Sequence, residues 1–114
     1  MAKTKDNQGI TVNIALGYGG RDEIVRAVNK WKSDTKSKSD LTKEVLAGFL
    51  DTAGQPDPDL LIRTGAENRL SGFLLWQLEY AELYFTDILW PDFTPLEFDR
   101  AISFYQGRFR RFGK

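Results

Sequence analysis

Apolar residues recur at two spacings along this chain, a shorter one typical of strands and a longer one typical of helices. The strands are predicted from the shorter spacing or from short apolar runs. Residues 10–16 alternate between apolar and other positions, which is typical of a strand. Residues 60–62 are wholly apolar and are closed by Arg63, Thr64 and Gly65, which predicts a strand buried on both faces. Aromatic and β-branched residues gather at residues 83–88 and favour a third strand.

The helices are predicted from the longer spacing or from continuous apolarity, at residues 21–31, 41–50, 73–80 and 95–111. Ser39 or Asp40 is expected to cap the second of these helices. The sequence TPLE at residues 94–97 has the order of an N-cap, a first-position proline and a capping glutamate, and so predicts where the last helix begins. Alternating strands and helices indicate an α/β fold with part of a mostly parallel sheet flanked by helices.

Composition narrows the class of protein. A chain of 114 residues is long enough for one domain. Lys+Arg and Asp+Glu balance at 16 each, so no overall field favours nucleic acid, and an anion site must be built locally. The absence of cysteine excludes disulfides and thiolate metal sites and fits a cytoplasmic protein, and the absence of histidine removes the commonest general base. No apolar run approaches the length of a membrane span.

The candidate chemistry lies after the central predicted strand. Arg63, Arg69 and Ser71 follow its carboxyl end, where α/β sheets bind anionic ligands, and arginine can hold a phosphate through two hydrogen bonds. A pair of surface arginines in a polar loop would have the same spacing, so both interpretations remain open. The glycine turn at residues 17–20 has a similar ambiguity. It lies between a predicted strand and a predicted helix, where it either cradles a phosphate or simply connects the two elements.

A longer set of motifs resembles one family. The stretch PDPDLLIRTGAENRLSGFLLWQLEYAELYFTDILWPDF at residues 56–93, YGGR at residues 18–21 and RRFG at residues 110–113 occur in the order found in cis-prenyltransferases. These are undecaprenyl-diphosphate-synthase-like isoprenyl transferases, which extend an allylic diphosphate with isopentenyl diphosphate. The resemblance covers nearly the whole chain, from about Ile10 onward. It implies an isoprenyl transferase that uses Mg²⁺, forms homodimers in its full-length members and associates peripherally with membranes through its lipid product. Nucleic acid is not an expected partner.

The resemblance also implies roles for individual residues. It assigns substrate binding to Arg63, Arg69, Leu70, Ser71, Arg111 and Gly113, with the first two arginines on the diphosphate of isopentenyl diphosphate. It assigns Glu82 to magnesium, a hard cation held by carboxylates, substrate phosphates and water. Without the resemblance, Glu82 would be an ordinary surface carboxylate. Arg108, Arg110 and Arg111 would be cations that complement a helix dipole.

Two departures from the family pattern are minor, and one is large. Ala66 stands where the family often has glycine, and Gly72 stands where many members have asparagine. Family members are much longer, and nothing here resembles their N-terminal Asp-Gly-Asn-Gly-Arg-Trp loop, which supplies the catalytic aspartate. Residues 1–114 are therefore expected to form the C-terminal portion of one isoprenyl transferase domain, through an internal start or a truncated reading frame. The chain alone is expected to be inactive, and no catalytic residue is assigned within it. Alternatives are a noncatalytic partner subunit, an inactive truncated remnant and an unrelated anion-binding α/β module.

Overall fold

The computed structural model describes residues 9–34 and 40–109 of the chain. Their elements are α1 (Gly20–Ser33), α2 (Lys43–Ala47), β1 (Leu60–Arg63), β2 (Glu82–Phe85), a short 3-10 helix (Trp90–Asp92) and α3 (Pro95–Phe109). The two strands pair in parallel and are accompanied by helices, which confirms the predicted α/β class. None of the helices in these ranges has the length and apolarity that a membrane span needs.

The two strands pair along all four residues of each. Leu60 lies opposite Glu82, and Arg63 lies opposite Phe85, so both carboxyl ends point the same way. The residues of β1 are half-buried, so the prediction of a strand buried on both faces is wrong for this chain. β2 begins one residue earlier than predicted and ends at Phe85. The chain turns after it, where the Thr86 hydroxyl accepts a hydrogen bond from the Ile88 N–H at 3.3 Å.

The first predicted strand does not form. Residues 10–16 have no strand partner within the described ranges, although their apolar positions alternate as predicted. A strand needs a neighbour to bind its N–H and C=O groups, and an alternating sequence alone cannot provide one. The prediction for this segment is therefore wrong for the chain as it stands.

The first two helices differ from prediction mainly at their ends. α1 extends the predicted helix by one residue at its start and two at its end, with Asp22 and Glu23 in its first turn and basic residues in its last. Such charges complement the helix dipole. α2 is shorter than predicted. Thr42 caps it by accepting a hydrogen bond from the Val45 N–H at 3.1 Å, so the expected cap at Ser39 or Asp40 is wrong.

The apolar block at residues 73–80 folds into consecutive turns instead of the predicted helix. Leu74 has a φ of 46°, in the left-handed region, which interrupts a right-handed helix at its second residue. α3 begins at Pro95, as predicted, and Thr94 Oγ1 accepts from the Glu97 N–H at 3.5 Å. The last predicted residues of this helix, 110 and 111, lie outside the described residues.

The core is small. Ala27, Leu46 and Leu50 form its buried centre, and partly buried side chains pack around them, namely Val28, Leu41, Phe49 and Trp76. The other buried apolar residues within the described ranges are Leu78 and Ala101. A core of this size covers α1, α2 and the turns after β1, and it leaves much apolar surface elsewhere in contact with solvent.

Candidate diphosphate-binding site

Arg63, the last residue of β1, organises the loop that follows it. Its Nη1 donates to the backbone oxygen of Arg69 at 2.6 Å and to Ser71 Oγ at 3.2 Å. The structure thus brings together three of the residues that the sequence singled out. They lie at the carboxyl end of a parallel strand, as predicted.

The loop is held in a specific backbone shape. Gly65 and Gly72 have φ values of 88° and 83°, while Ala66 and Ser71 have values of 67° and 52°. The left-handed region costs a residue with a side chain about 1–2 kcal/mol. Ala66 therefore occupies a conformation that glycine adopts more easily. Backbone hydrogen bonds secure the loop to the end of β2, from Gly65 N to Ile88 O at 2.9 Å and from Ala66 N to Thr86 O at 3.1 Å.

The glycine turn before α1 packs directly against this loop. The Gly20 N–H, at the first residue of α1, donates to the Gly72 oxygen at 2.7 Å. A Cβ on Gly20 would collide with that oxygen and would lie 2.6 Å from Leu75 Cγ. The turn predicted to cradle a phosphate thus gives one of its N–H groups to the loop that carries Ser71. Residue 20 must be glycine for the two segments to approach so closely.

An open cleft of about 480 Å³ lies beside these residues. Arg63, Leu70 and Ser71 form one side, and Ala15, Gly17, Tyr18 and Phe73 complete its lining. Arg69 is exposed and does not line the cleft. The cleft is therefore lined by both polar and apolar side chains, and it is open to solvent.

A second polar cluster, which the sequence did not reveal, shares Tyr18 with the cleft. Glu23 is 1% exposed, and its carboxylate accepts hydrogen bonds from the Tyr18 hydroxyl and from the Asp51 N–H at 2.8 Å. Gln77 Nε2 lies 3.1 and 3.2 Å from the two Glu23 oxygens and 3.0 Å from Thr52 Oγ1. The only signals are that Glu23 precedes Ala27 by one helical turn and that Gln77 interrupts an apolar block.

Two titratable groups in or beside this cluster have shifted pKa values. Burial raises the pKa of the Tyr18 phenol, and the hydrogen bond and charge of Glu23 raise it further. The hydrogen bonds from Arg26 lower the pKa of Asp51, whose carboxylate Arg26 contacts through two nitrogens at 2.9 and 3.0 Å. Tyr18 therefore stays protonated and serves as a hydrogen-bond donor to Glu23.

Glu82 lies apart from the arginines. It begins β2, opposite Leu60, and so lies at the amino end of the strand pair, whereas Arg63 lies at the carboxyl end. Three residues of strand correspond to about 10 Å. The Glu82 carboxylate accepts from Arg108 Nε at 3.1 Å. Arg111 and Gly113, also predicted to bind substrate, lie outside the described residues.

Whether this chain can hold Mg²⁺ depends on the oxygen ligands that its side chains offer. Across residues 9–34 and 40–109, no three acidic, histidine or cysteine side chains gather into a metal-binding group. Mg²⁺ is often held by one or two carboxylates with substrate phosphates and water. Glu82 could supply one such carboxylate, which is paired with Arg108 and lies at the end of the strand pair opposite Arg63.

Comparison with known proteins establishes the family. Residues 1–113 match the family model described as "Putative undecaprenyl diphosphate synthase". The chain belongs to this family. The match confirms the resemblance to cis-prenyltransferases that the motifs suggested, and it covers all the predicted site residues.

Relatives in this family are named isoprenyl transferase. The isoprenyl transferase of Aquifex aeolicus is 53% identical over 97% of this chain and 47% of its own length. That of Thermus thermophilus is 50% identical over 98% of this chain and 46% of its own length. A probable undecaprenyl diphosphate synthase from Campylobacter jejuni has a similar structure, with a TM-score of 0.82 and 44% identity over 99% of this chain and 52% of that one.

A more distant structure is that of lavandulyl diphosphate synthase from Lavandula x intermedia in complex with dimethylallyl diphosphate. It has a TM-score of 0.72 and 38% identity over 79% of this chain. The present chain spans about half the length of the curated relatives it matches.

Proposed function

We propose that this chain is the C-terminal portion of an isoprenyl transferase domain and binds the diphosphate of isopentenyl diphosphate at the Arg63–Ser71 loop. The observation that carries the proposal is the pair of hydrogen bonds from Arg63 Nη1 to the Arg69 oxygen and Ser71 Oγ, which orders this loop at the carboxyl end of β1. A diphosphate needs several donors held in place, and this loop presents them beside an open cleft.

Each residue has a distinct part in the proposed site. Ser71 Oγ accepts from Arg63, so its own proton is available to a phosphate oxygen. The remaining N–H groups of Arg63 and the exposed guanidinium of Arg69 provide charge-assisted hydrogen bonds. Leu70 lines the cleft next to them with an apolar side chain. Beyond the described residues, Arg111 and Gly113 are proposed to reach the substrate phosphates.

The complete enzyme would join two substrates. The carbon–oxygen bond of an allylic diphosphate breaks, the double bond of isopentenyl diphosphate attacks the allylic carbon, and a proton is then lost. Glu82 would hold Mg²⁺ as one ligand, and the ion would neutralise charge on the diphosphate. This chain by itself is proposed to be inactive. In the full-length context, we propose a cytoplasmic homodimer that meets the membrane through its lipid product.

The first prediction tests the diphosphate site. Arg69→Ala should weaken inorganic pyrophosphate binding by about ten- to a hundredfold, because a lost hydrogen bond to a charged group costs about 1.5–3 kcal/mol. Arg63→Ala should weaken it at least as much, since the loop loses its internal hydrogen bonds as well. Titration calorimetry of the 114-residue chain measures both affinities.

Arg100→Ala is the matched control, because Arg100 is an exposed arginine on α3 that pairs with Glu97 and lies outside the loop. Its pyrophosphate affinity should equal that of the parent chain. An affinity unchanged in both Arg63→Ala and Arg69→Ala would refute the assignment, as would an equal loss in all three variants.

A further inference from the structure

The cleft beside the Arg63 loop contains aromatic surface that the binding of a diphosphate does not use. Arg63 and Ser71 supply polar groups to its lining, and Leu70 supplies an apolar side chain. Tyr18 and Phe73 add two aromatic rings. Pockets that bind small ligands typically combine apolar and aromatic surface with a few polar groups that fix the orientation of the ligand. The lining therefore suits a ligand with a charged end and a hydrocarbon end.

The two aromatic rings of the cleft pack against each other. Their centroids are 5.8 Å apart, and the planes of the Tyr18 and Phe73 rings meet at 70°, which is an edge-to-face arrangement. This arrangement is favourable because the positive edge of one ring meets the negative face of the other. Phe73 is nevertheless 39% exposed, so the protein covers only part of its ring. The remaining part can contact an apolar group of a ligand in the cleft.

The Tyr18 ring is itself fixed by a buried carboxylate. Its hydroxyl donates to Glu23, which also accepts from Gln77 Nε2 and from the Asp51 N–H. Burial and the neighbouring Glu23 raise the pKa of the phenol, so the hydroxyl keeps the proton that it donates. Tyr18 cannot turn away from Phe73 without breaking this hydrogen bond. A site whose side chains are already held in place loses less free energy in ordering them when a ligand binds.

A single turn carries both the Ser71 hydroxyl and the Phe73 ring. The Phe73 N–H donates to the Leu70 oxygen at 3.1 Å, and Gly72, between Ser71 and Phe73, has a φ of 83°. The Gly72 oxygen accepts from the Gly20 N–H at 2.7 Å, which ties the turn to the start of α1. A ligand whose diphosphate is bound at Ser71 therefore has its hydrocarbon part next to Phe73.

We propose that Phe73, held in place by Tyr18, binds the hydrocarbon group of isopentenyl diphosphate and makes the cleft prefer this ligand to inorganic pyrophosphate. The inference rests on the proposed diphosphate site and adds the residue that recognises the other end of the ligand. The isopentenyl group has no polar atom, so an aromatic surface beside the diphosphate is the chemistry that recognises it. Phe73 contacts the substrate, and Tyr18 is a positioning residue.

The test compares two ligands on the 114-residue chain. Titration calorimetry gives the dissociation constants of isopentenyl diphosphate and of inorganic pyrophosphate, and their ratio isolates the contribution of the hydrocarbon. Phe73→Ala should weaken isopentenyl diphosphate binding by about tenfold, which corresponds to the lost burial of about two methylene groups. Pyrophosphate binding should stay within about threefold of the parent value. Phe73→Leu keeps an apolar side chain and should recover part of the loss.

Tyr80→Ala is the matched control, because Tyr80 is an aromatic residue that is 76% exposed and does not line the cleft. Both of its affinities should equal those of the parent chain. Tyr18→Phe keeps the ring and removes only the hydroxyl, so it should weaken isopentenyl diphosphate binding by about threefold and leave pyrophosphate binding unchanged. Nuclear Overhauser spectra provide a direct measurement, in which bound isopentenyl methyl protons should show contacts to ring protons that Phe73→Ala abolishes.

An equal loss of affinity for both ligands in folded Phe73→Ala would show that Phe73 only shapes the Ser71 turn, and it would overturn the proposal. An unchanged ratio, or no contact between the bound hydrocarbon and Phe73, would do the same. If circular dichroism shows that Phe73→Ala does not fold, the ratio is taken from Phe73→Leu, with an expected loss of about threefold.

Failure of the diphosphate site gives a different result from failure of the Phe73 surface. In the first case, Arg63→Ala and Arg69→Ala leave pyrophosphate affinity unchanged. In the second case, the arginine variants weaken the binding of both ligands, while the ratio of the two dissociation constants in Phe73→Ala stays at the parent value.

Discussion

Two polar clusters in this chain differ in burial, and the difference separates a structural role from the ligand-binding role that we propose. The Glu23 cluster is enclosed, and its carboxylate accepts from Tyr18, Gln77 and the Asp51 backbone. The Arg63 loop is open, with Ser71 and Arg69 exposed. In the enclosed cluster the protein itself uses the hydrogen-bonding capacity of Glu23. In the open loop, donors remain available to a ligand.

The first turn of α1 and the residues before it connect the two clusters. Tyr18 donates to Glu23 and also lines the cleft beside Arg63. Two residues later, the Gly20 N–H binds the oxygen of Gly72, the neighbour of Ser71. The enclosed cluster thus supports the wall against which the open loop is packed.

The largest expected effect comes from removing the centre of the enclosed cluster. Glu23→Ala removes the acceptor of the Tyr18 hydroxyl and of the Asp51 N–H and leaves the Gln77 amide with Thr52 alone, and an unsatisfied buried group costs about 1–3 kcal/mol. We expect the free energy of unfolding to fall by about 3 kcal/mol or more. Urea denaturation followed by circular dichroism measures it.

Glu79→Ala provides the comparison, because Glu79 is an exposed glutamate close to Gln77 in sequence. Its unfolding free energy should change by less than about 0.5 kcal/mol. Equal stability of the two variants would show that the enclosed cluster contributes nothing to folding, and the contrast between the two regions would then fail.

An intermediate effect is expected where the clusters meet. Gly20→Ala places a Cβ against the Gly72 oxygen and Leu75, and overpacking of this kind costs about 1–3 kcal/mol. Since Gly72 adjoins Ser71, pyrophosphate affinity should also fall, by about tenfold if the shift costs one hydrogen bond to the ligand. Calorimetry and urea denaturation give the two values.

Gly19→Ala is the matched variant, because a Cβ there would meet only Asp22 Cβ at 3.8 Å. It should retain parental pyrophosphate affinity. A normal affinity in folded Gly20→Ala would mean that the loop keeps its shape without the Gly20–Gly72 contact, and the proposed support of one cluster by the other would be lost.

The smallest effect on stability is expected at Glu82. Glu82→Gln weakens a partly exposed ion pair with Arg108, and such pairs contribute about 0–1 kcal/mol. This chain can also be fused to the part of the Aquifex aeolicus isoprenyl transferase that it does not cover. In that fusion, Glu82→Gln should reduce magnesium-dependent product formation. Pyrophosphate binding without magnesium should be unchanged. Product formation with parental magnesium dependence would show that Glu82 does not bind the metal and only pairs with Arg108.

The successful sequence predictions depended on local signals. Leu60–Arg63 is a strand because it is an apolar run bounded by turn residues, and α3 begins where its capping sequence predicts. The proximity of Arg63 to Ser71 also followed from a short separation along the chain. The existence of a loop at a strand's carboxyl end was therefore predictable, whereas its left-handed residues other than glycine were not.

The sequence predictions that failed depended on features that the local sequence does not show. An alternating sequence at residues 10–16 predicts a strand, but a strand forms only beside another strand. Residues 73–80 are apolar enough for a buried helix, yet the left-handed backbone at Leu74 prevents it. The hydrogen bond between Gln77 and Glu23 joins residues 54 positions apart, and the local sequence around each residue does not indicate that the two pair.

The parallel pairing of β1 and β2 has a consequence for how this family can vary in length. Two parallel strands need a connection that runs back along the sheet, and here residues 64–81 form it and carry the Arg63 loop. Surface connections usually accept insertions and deletions. Between Arg63 and Ser71, however, one added or removed residue would shift the Arg69 oxygen and Ser71 Oγ away from the guanidinium that holds them. Differences in length among relatives that keep this loop must therefore fall elsewhere in the chain.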